Sequence, residues 1–216
     1  VGGDLNAFTN KEDTVYYAAI LKEHAPKAVD LLSDIVFHSI YPQNELEKEV
    51  EVICDEIESY NDSPAERIYD DFENAVFSGH PLGHNILGSA EQLRTYTSAD
   101  ALSFTRRFYR PDNMIFFAHG DIDFRLLVRL LRKATSSFPA AQPCVDTHEK
   151  EPLPTYVPQT LVRDMDTHQA HVMLGNRAFS TYDRRRMPLY LVNNLLGGPG
   201  MNARLNIALR ERHALV

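Results

Sequence analysis

The chain has 216 residues, of which 44% are hydrophobic and 24% charged, and its formal net charge at pH 7 is −8. A chain of this length can bury a core and form one or two globular domains. Its negative charge argues against nucleic acid or an anionic membrane surface as the main partner, because both require a basic face. The sequence holds no apolar run near the ~18 residues of a membrane-spanning helix. Its two cysteines, Cys54 and Cys144, are too few for a disulfide framework.

The first third of the chain predicts a β-hairpin followed by helices. Residues 5–19 are rich in Thr, Val, Tyr and Phe, and the polar run 9–13 interrupts them, which is typical of two strands around a turn. Apolar residues at helical spacing predict helices over 25–39 and 44–60, with Asn44 as the N-cap of the second.

Helices and one strand are predicted in the middle of the chain. Pro64 suits the first turn of a third helix, and the Gly- and Pro-containing run 79–83 ends it. Helices are expected over 98–109 and 124–135, and the apolar run 114–119 predicts a strand between them.

The last third of the chain begins with the best linker candidate, the Pro-rich polar stretch 138–158. Beyond it, 160–175 predicts strands, and 188–196 and 201–212 predict helices around the glycine-rich run 197–200.

The order of these elements predicts an α+β fold with a mixed or antiparallel sheet packed with helices. Residues 1–137 are expected to form a first domain, 138–158 a linker, and 159–216 the start of a second domain. The chain starts without Met at a predicted strand and stops inside an apolar-patterned element. We therefore expect both domains to be truncated at the outer ends of the chain.

The helix predicted over 44–60 carries two glutamates on one side. At 100° per residue, Glu49 and Glu56 lie about 60° and 80° to one side of Leu46, at the border of an apolar stripe. Charge at the edge of such a stripe is usually a solvated face. A carboxylate in that position can also bind a cation in a cleft, with a second carboxylate supporting it. Spacing alone leaves both interpretations open.

Five segments carry motifs that occur together, in this order, in one family. They are 2–18 (GGDLNAFTNKEDTVYYA), 49–57 (EVEVICDEI), 79–88 (GHPLGHNILG), 109–121 (YRPDNM followed by GD) and 195–205 (LLGGPGMNARL). In this arrangement the chain resembles the pitrilysin/insulinase family of zinc metallopeptidases (M16), which includes mitochondrial processing peptidase. The resemblance covers nearly the whole chain and implies a LuxS/MPP-like metallohydrolase fold.

The resemblance also implies roles for individual residues. Glu56 matches the third zinc ligand of the family, and Glu49 matches the glutamate that supports the zinc site. Asn6, Ala7 and Phe8 match the edge strand that receives the peptide substrate, which is sensible because an unpaired strand edge binds extended peptides. Arg210 matches the arginine of an Arg/Tyr pair that helps to hold the substrate.

The family's His-x-x-Glu-His motif, which supplies two zinc ligands and the general base, has no counterpart in this chain. His80 and His84 are four residues apart, but Pro81 and Gly83 lie between them and no glutamate does, so we interpret them as loop residues. The resemblance therefore implies zinc in the intact enzyme, and we expect these 216 residues not to bind it tightly.

The functional hypothesis is a zinc metalloendopeptidase that hydrolyses peptides or unfolded segments, of which this chain alone is inactive. We expect a homo- or heterodimer with another subunit of the family. An alternative is a non-catalytic, substrate-binding or structural subunit of the same family. A third possibility, an unrelated α+β binding domain, is disfavoured by the ordered motifs.

Overall fold

A computed structural model describes residues 1–138 and 153–216 of the chain. It divides into two compact units, Val1–Met173 and Leu174–Val216. The central part of the predicted linker, with Cys144, lies outside the described residues. The domain boundaries expected from the sequence stay a prediction.

The chain begins with an antiparallel hairpin of strands β1 (Asp4–Thr9) and β2 (Thr14–Ala19). Asn10 builds the turn, because its side-chain Oδ1 accepts hydrogen bonds from the backbone N–H groups of Glu12 and Asp13 at 2.8 and 2.7 Å. Asn favours turns for this reason. The predicted hairpin is confirmed.

Six helices follow in the described part of the first unit. They are α1 (Ala25–His38), α2 (Gln43–Asn61), α3 (Pro64–Val76), α4 (Ala90–Leu93), α5 (Ser98–Phe108) and α6 (Phe124–Ala134). Local signals set several of their starts: Pro64 opens α3, Thr97 and Asp100 form a capping box on α5, and Asp123 caps α6. Short 3-10 turns lie at Lys22–His24, Pro81–Gly83 and Pro111–Asn113.

The core of the first unit joins helices that are distant in sequence. Helix α1 packs on β2 and α6, and α2 packs on α3 and α4. The buried apolar residues of this unit are Val29, Val50, Cys54, Val76 and Leu127. Cys54 is only 2% exposed, as expected of a small buried residue. Residues 153–173 are irregular chain that contacts α3: Arg163 forms an ion pair with Asp71 at 2.7 Å, and Gln159 donates to the carbonyl of Ala75 at 3.4 Å.

The second unit contains α7 (Arg186–Gly197), α8 (Arg204–Asn206) and a π-helical turn over Ile207–Arg212. Helix α7 packs on α8, and Ala203 is buried beside them. The helix predicted over 188–196 is confirmed. The helix predicted over 201–212 starts later, at Arg204, and ends in π geometry.

The structure corrects three predictions from the sequence. Neither 114–119 nor 160–175 forms a strand, so in the described residues the sheet is the two-stranded hairpin alone. An apolar run becomes a strand only where another strand pairs with it, and neither segment has such a partner within the described part of the chain. Asn44 does not cap α2, because the helix starts one residue earlier, after Pro42.

Candidate functional site

Strand β1 presents one unpaired edge. Among the residues that the structure describes, it pairs with β2 alone, with Asn6 opposite Tyr17, Ala7 opposite Tyr16 and Phe8 opposite Val15, and its six residues are all exposed. Phe8 is 53% exposed and its ring packs edge-on against that of Tyr17, 6.2 Å away. The residues predicted to bind a peptide therefore lie together on an accessible strand edge, the kind of surface that binds extended chains by β-augmentation.

The hydrogen-bond alternation of the hairpin identifies which backbone groups point outward. The N–H of Asn10 donates to the carbonyl of Asp13 at 2.9 Å. In an antiparallel ladder, pairs of opposite residues alternate between hydrogen-bonded and non-hydrogen-bonded. Counting back from the hydrogen-bonded Asn10, Phe8 and Asn6 form backbone hydrogen bonds with β2, and Ala7 does not. The N–H and C=O of Ala7 point away from β2. This N–H is held by Oδ1 of Asn6 at 2.8 Å.

Glu49 and Glu56 lie on α2, and both are exposed. Their common side of the helix agrees with the sequence analysis, but their distance from the core does not. The buried residues of α2 are Val50 and Cys54, which lie about 100° to 160° around the helix from the two glutamates. In the apolar stripe inferred from Leu46, Val50, Ile53 and Ile57, only Val50 is buried and the other three residues are half-buried.

Glu49 lines an open cleft of about 460 Å3 between the end of α1 and the start of α2. Its lining combines apolar residues, among them Ile35 and Leu46, with the carboxylates of Asp34, Glu45 and Glu49. His38 is 3.3 Å from Asp34 within this cleft. Glu56, two turns further along α2, is not part of the cleft lining.

The described residues do not provide a complete zinc site. Zinc uses three or four His, Cys, Asp or Glu ligands, and no group of three or more such side chains within 1–138 and 153–216 is arranged to hold a metal ion. His80 accepts a hydrogen bond from the backbone N–H of Leu82 at 3.1 Å, as expected of a loop residue. Glu49 and Glu56 are thus candidate contributors to a site rather than a site in themselves.

Two contacts that the sequence analysis missed hold the hairpin to the helices. The hydroxyls of Tyr16 and Tyr109 are 2.9 Å apart, and their rings pack edge-on. Burial is the largest cause that raises the pKa of Tyr16, and the hydrogen bond with Tyr109 raises it further. At the turn, Lys11 Nζ lies 3.2 Å from Glu73 and donates to the carbonyl of His84. These partners lie 62 to 93 residues away in sequence, so no local pattern indicates them.

Arg210 lies in the second unit, inside the π-helical turn Ile207–Arg212. Its side chain is exposed, and its carbonyl accepts a hydrogen bond from the N–H of Ala214 at 3.0 Å. Turns of π geometry are rare and frequently mark functional sites.

In the described part of the chain, no helix has the length and apolarity needed to cross a membrane.

Family models match both parts of the chain. Residues 1–90 match the model of insulinase, peptidase family M16, and residues 95–216 match the model of the M16 inactive domain.

Curated relatives align along the whole chain. An uncharacterized zinc protease of Bacillus subtilis is 34% identical over 215 residues. One of Mycobacterium tuberculosis is 35% identical over 216 residues. The chain spans about half the length of these relatives, 51% and 49% respectively.

Solved structures show the same fold. An M16 inactive-domain structure from Pseudomonas fluorescens aligns with a TM-score of 0.74 at 18% identity, covering 99% of this chain and 52% of that one. A protease from Helicobacter pylori aligns with a TM-score of 0.73 at 20% identity, with the same coverage of 99% and 52%. The likeness to these two structures shows the fold, and the present chain is a helix-rich example of it with, in its described residues, a small two-stranded sheet.

Proposed function

Because the chain belongs to peptidase family M16, we propose that it is the peptide-binding and scaffold part of a zinc-dependent metalloendopeptidase. Its substrates are peptides or unfolded segments, which add to the outer edge of β1. The observation that carries this proposal is the exposed edge itself, where the backbone N–H and C=O of Ala7 point away from β2. An extended peptide satisfies such groups by pairing as a further strand.

In this proposal Glu56 contributes one zinc ligand to the complete enzyme and Glu49 supports the site. The other ligands and the general base come from outside the 216 residues. The names of the relatives as zinc proteases support the choice of metal. Arg210 holds the substrate from the second domain, and a second subunit of the family completes the enzyme as a dimer. The chain alone, with fewer donors than zinc requires, is inactive.

A peptide titration tests the binding role. A fluorescein-labelled casein peptide is added to the 216-residue chain, and amide shifts are followed by NMR. We expect the largest shifts at Asn6, Ala7 and Phe8. Ala7→Pro removes the outward N–H without removing a ladder bond, because Ala7 is in a non-hydrogen-bonded pair, and should weaken binding about tenfold. The control Ala7→Ser keeps the N–H and should bind as the parent chain does. Equal binding by both variants would exclude β1 as the peptide site.

A peptidase assay tests the inactivity of the isolated chain. The purified chain is incubated with the same peptide, with zinc or with a chelator. We expect no metal-dependent cleavage, and cleavage that zinc restores and the chelator abolishes would contradict the proposal.

A second candidate function is a non-catalytic subunit that binds substrate or supports an active partner. The match of residues 95–216 to the M16 inactive domain favours it. The two candidates differ in the encoding gene: a His-x-x-Glu-His motif ahead of residue 1 favours the active enzyme, and its absence there favours the non-catalytic subunit.

A further inference from the structure

The hairpin of β1 and β2 needs support from the rest of the molecule. A two-stranded hairpin is marginally stable in water at best, and β1 is exposed along its whole length. The side chains of β2 are exposed or half-buried, and outside the hairpin β2 packs on α1. A strand that receives a peptide must nevertheless keep its outward N–H and C=O groups in place, since ordering them at binding costs affinity.

Lys11 is placed to provide this support. It occupies the turn between β1 and β2, and its side chain is only 17% exposed, which is low for a lysine. Its ammonium lies 3.2 Å from Oε2 of Glu73 on α3 and donates to the backbone carbonyl of His84. One side chain therefore joins three segments: the hairpin turn, α3 and the loop after α3.

The surroundings of Lys11 are built to hold it. The turn is rigid on its own, because Oδ1 of Asn10 accepts two backbone N–H groups and the hydroxyls of Thr9 and Thr14 are 3.2 Å apart. On the other side, Asn74 of α3 donates to Asn85 at 2.6 Å, next to His84. A rigid turn transmits the position of the lysine to both strands.

We propose that Lys11 is a positioning residue for peptide binding, a latch that fixes the hairpin on α3 and so keeps the outer edge of β1 in register for an incoming peptide. This proposal rests on the proposed function of β1. It differs from an ordinary stabilising contact, since its effect is confined to the hairpin. Charge-assisted hydrogen bonds of a partly buried lysine are among the stronger polar contacts in proteins, and removal of one partner leaves the other unsatisfied.

Amide hydrogen exchange in the 216-residue chain tests the latch without any peptide. In Lys11→Met we expect the ladder amides of Phe8 and Tyr17 to exchange at least about tenfold faster. The buried amides of Val50 and Cys54 on α2 should keep their rates. The matched control is Lys48→Met, because Lys48 forms an exposed ion pair with Glu45 at 2.9 Å, which should contribute little. It should change neither group of amides.

The partner side of the latch provides a second variant. Glu73→Gln removes the charge that Lys11 faces, and the double variant Lys11→Met with Glu73→Gln should exchange no faster in the hairpin than Lys11→Met alone. Unchanged hairpin exchange in Lys11→Met would overturn the proposal. An equal acceleration of Val50 and Cys54 would overturn it too, since Lys11 would then stabilise the whole unit.

Binding of the fluorescein-labelled casein peptide separates this proposal from the proposed function. If the parent chain binds the peptide at β1, Lys11→Met should weaken binding by about tenfold while Lys48→Met leaves it unchanged. Tight binding by Lys11→Met despite a loosened hairpin would refute the positioning role. If the parent chain does not bind the peptide, the proposed function fails, and the positioning role, which rests on it, fails with it.

Discussion

The side chain of Asn6 covers the backbone of its own neighbour, since its Oδ1 accepts a hydrogen bond from the N–H of Ala7 at 2.8 Å. That N–H is the outward donor at the centre of β1, the group that an added peptide strand would use. Exposed strand edges are commonly protected against unwanted pairing. Here the protection comes from within the strand, and in the proposed binding mode a peptide carbonyl replaces the Asn6 oxygen.

Removal of the Asn6 side chain should therefore expose the edge. In Asn6→Ala we expect the Ala7 amide to exchange faster and the labelled casein peptide to bind more tightly, by about two- to tenfold, the worth of one net hydrogen bond. NMR exchange rates and fluorescence polarisation measure the two effects. Weaker binding by Asn6→Ala would instead mean that the carboxamide contacts the peptide.

The apolar run 114–119 should make the isolated chain associate. Ile115 is 96% exposed and Phe117 is 82% exposed, and in an extended segment these two side chains point the same way. Exposed apolar segments of high β propensity pair with other chains. Ile115→Lys with Phe117→Lys should shift the chain towards monomer in sedimentation velocity runs. Val52→Lys, which replaces an exposed apolar residue on α2, should not. A parent chain that is monomeric at all concentrations would contradict this prediction.

The local elements of the fold were predictable because their causes are local. The turn at Asn10, the Pro64 start of α3 and the capping box of Thr97 with Asp100 are all encoded within four residues. Strand pairing is not local. The run 114–119 has the composition of a strand, but composition does not provide a neighbouring strand, and in the described residues it has none.

The candidate site was predictable only in outline for the same reason. Helical periodicity correctly placed Glu49 and Glu56 on one side of α2. It could not show which side of α2 becomes buried when α3 and α4 pack on it. The buried residues of the helix, Val50 and Cys54, lie away from both glutamates. The anchors of the hairpin, such as Tyr16 with Tyr109, depend on tertiary contacts and leave no trace in a single sequence.

The hydroxyl pair of Tyr16 and Tyr109 should make stability sensitive to high pH. Burial raises the pKa of Tyr16 above the value of about 10 in an unfolded chain. The neutral phenol is thus favoured in the folded state, so its stabilising contribution is complete below about pH 10 and is lost as the pH rises further. Tyr16→Phe should lower the free energy of unfolding by about 1 kcal/mol at pH 8.

Urea unfolding between pH 8 and pH 11 measures this effect. The parent chain should lose its advantage over Tyr16→Phe at the upper end of the range. Tyr182→Phe is a suitable control, because Tyr182 is 93% exposed. A constant difference between the parent chain and Tyr16→Phe across the range would show that the phenol does not titrate as described.

Lys11 should also control the ionisation of Asp70 on α3. Burial is the largest influence on Asp70 and raises its pKa, the positive charge of Lys11 lowers it, and Glu73 and Asp71 raise it. In Lys11→Met the lowering influence is gone, so the pKa of Asp70 should rise further. Because the folded pKa is raised, the contribution of Asp70 to stability is complete below the unfolded pKa of about 4 and is lost as the pH rises through the folded value. Carboxyl chemical shifts followed from pH 2 to pH 8 measure the titration directly.

Asp112 is the internal control, since the hydrogen bonds from Arg110 lower its pKa and should do so equally with and without Lys11. An Asp70 titration that does not move in Lys11→Met would show that the ammonium is too far from the carboxylate to act on it.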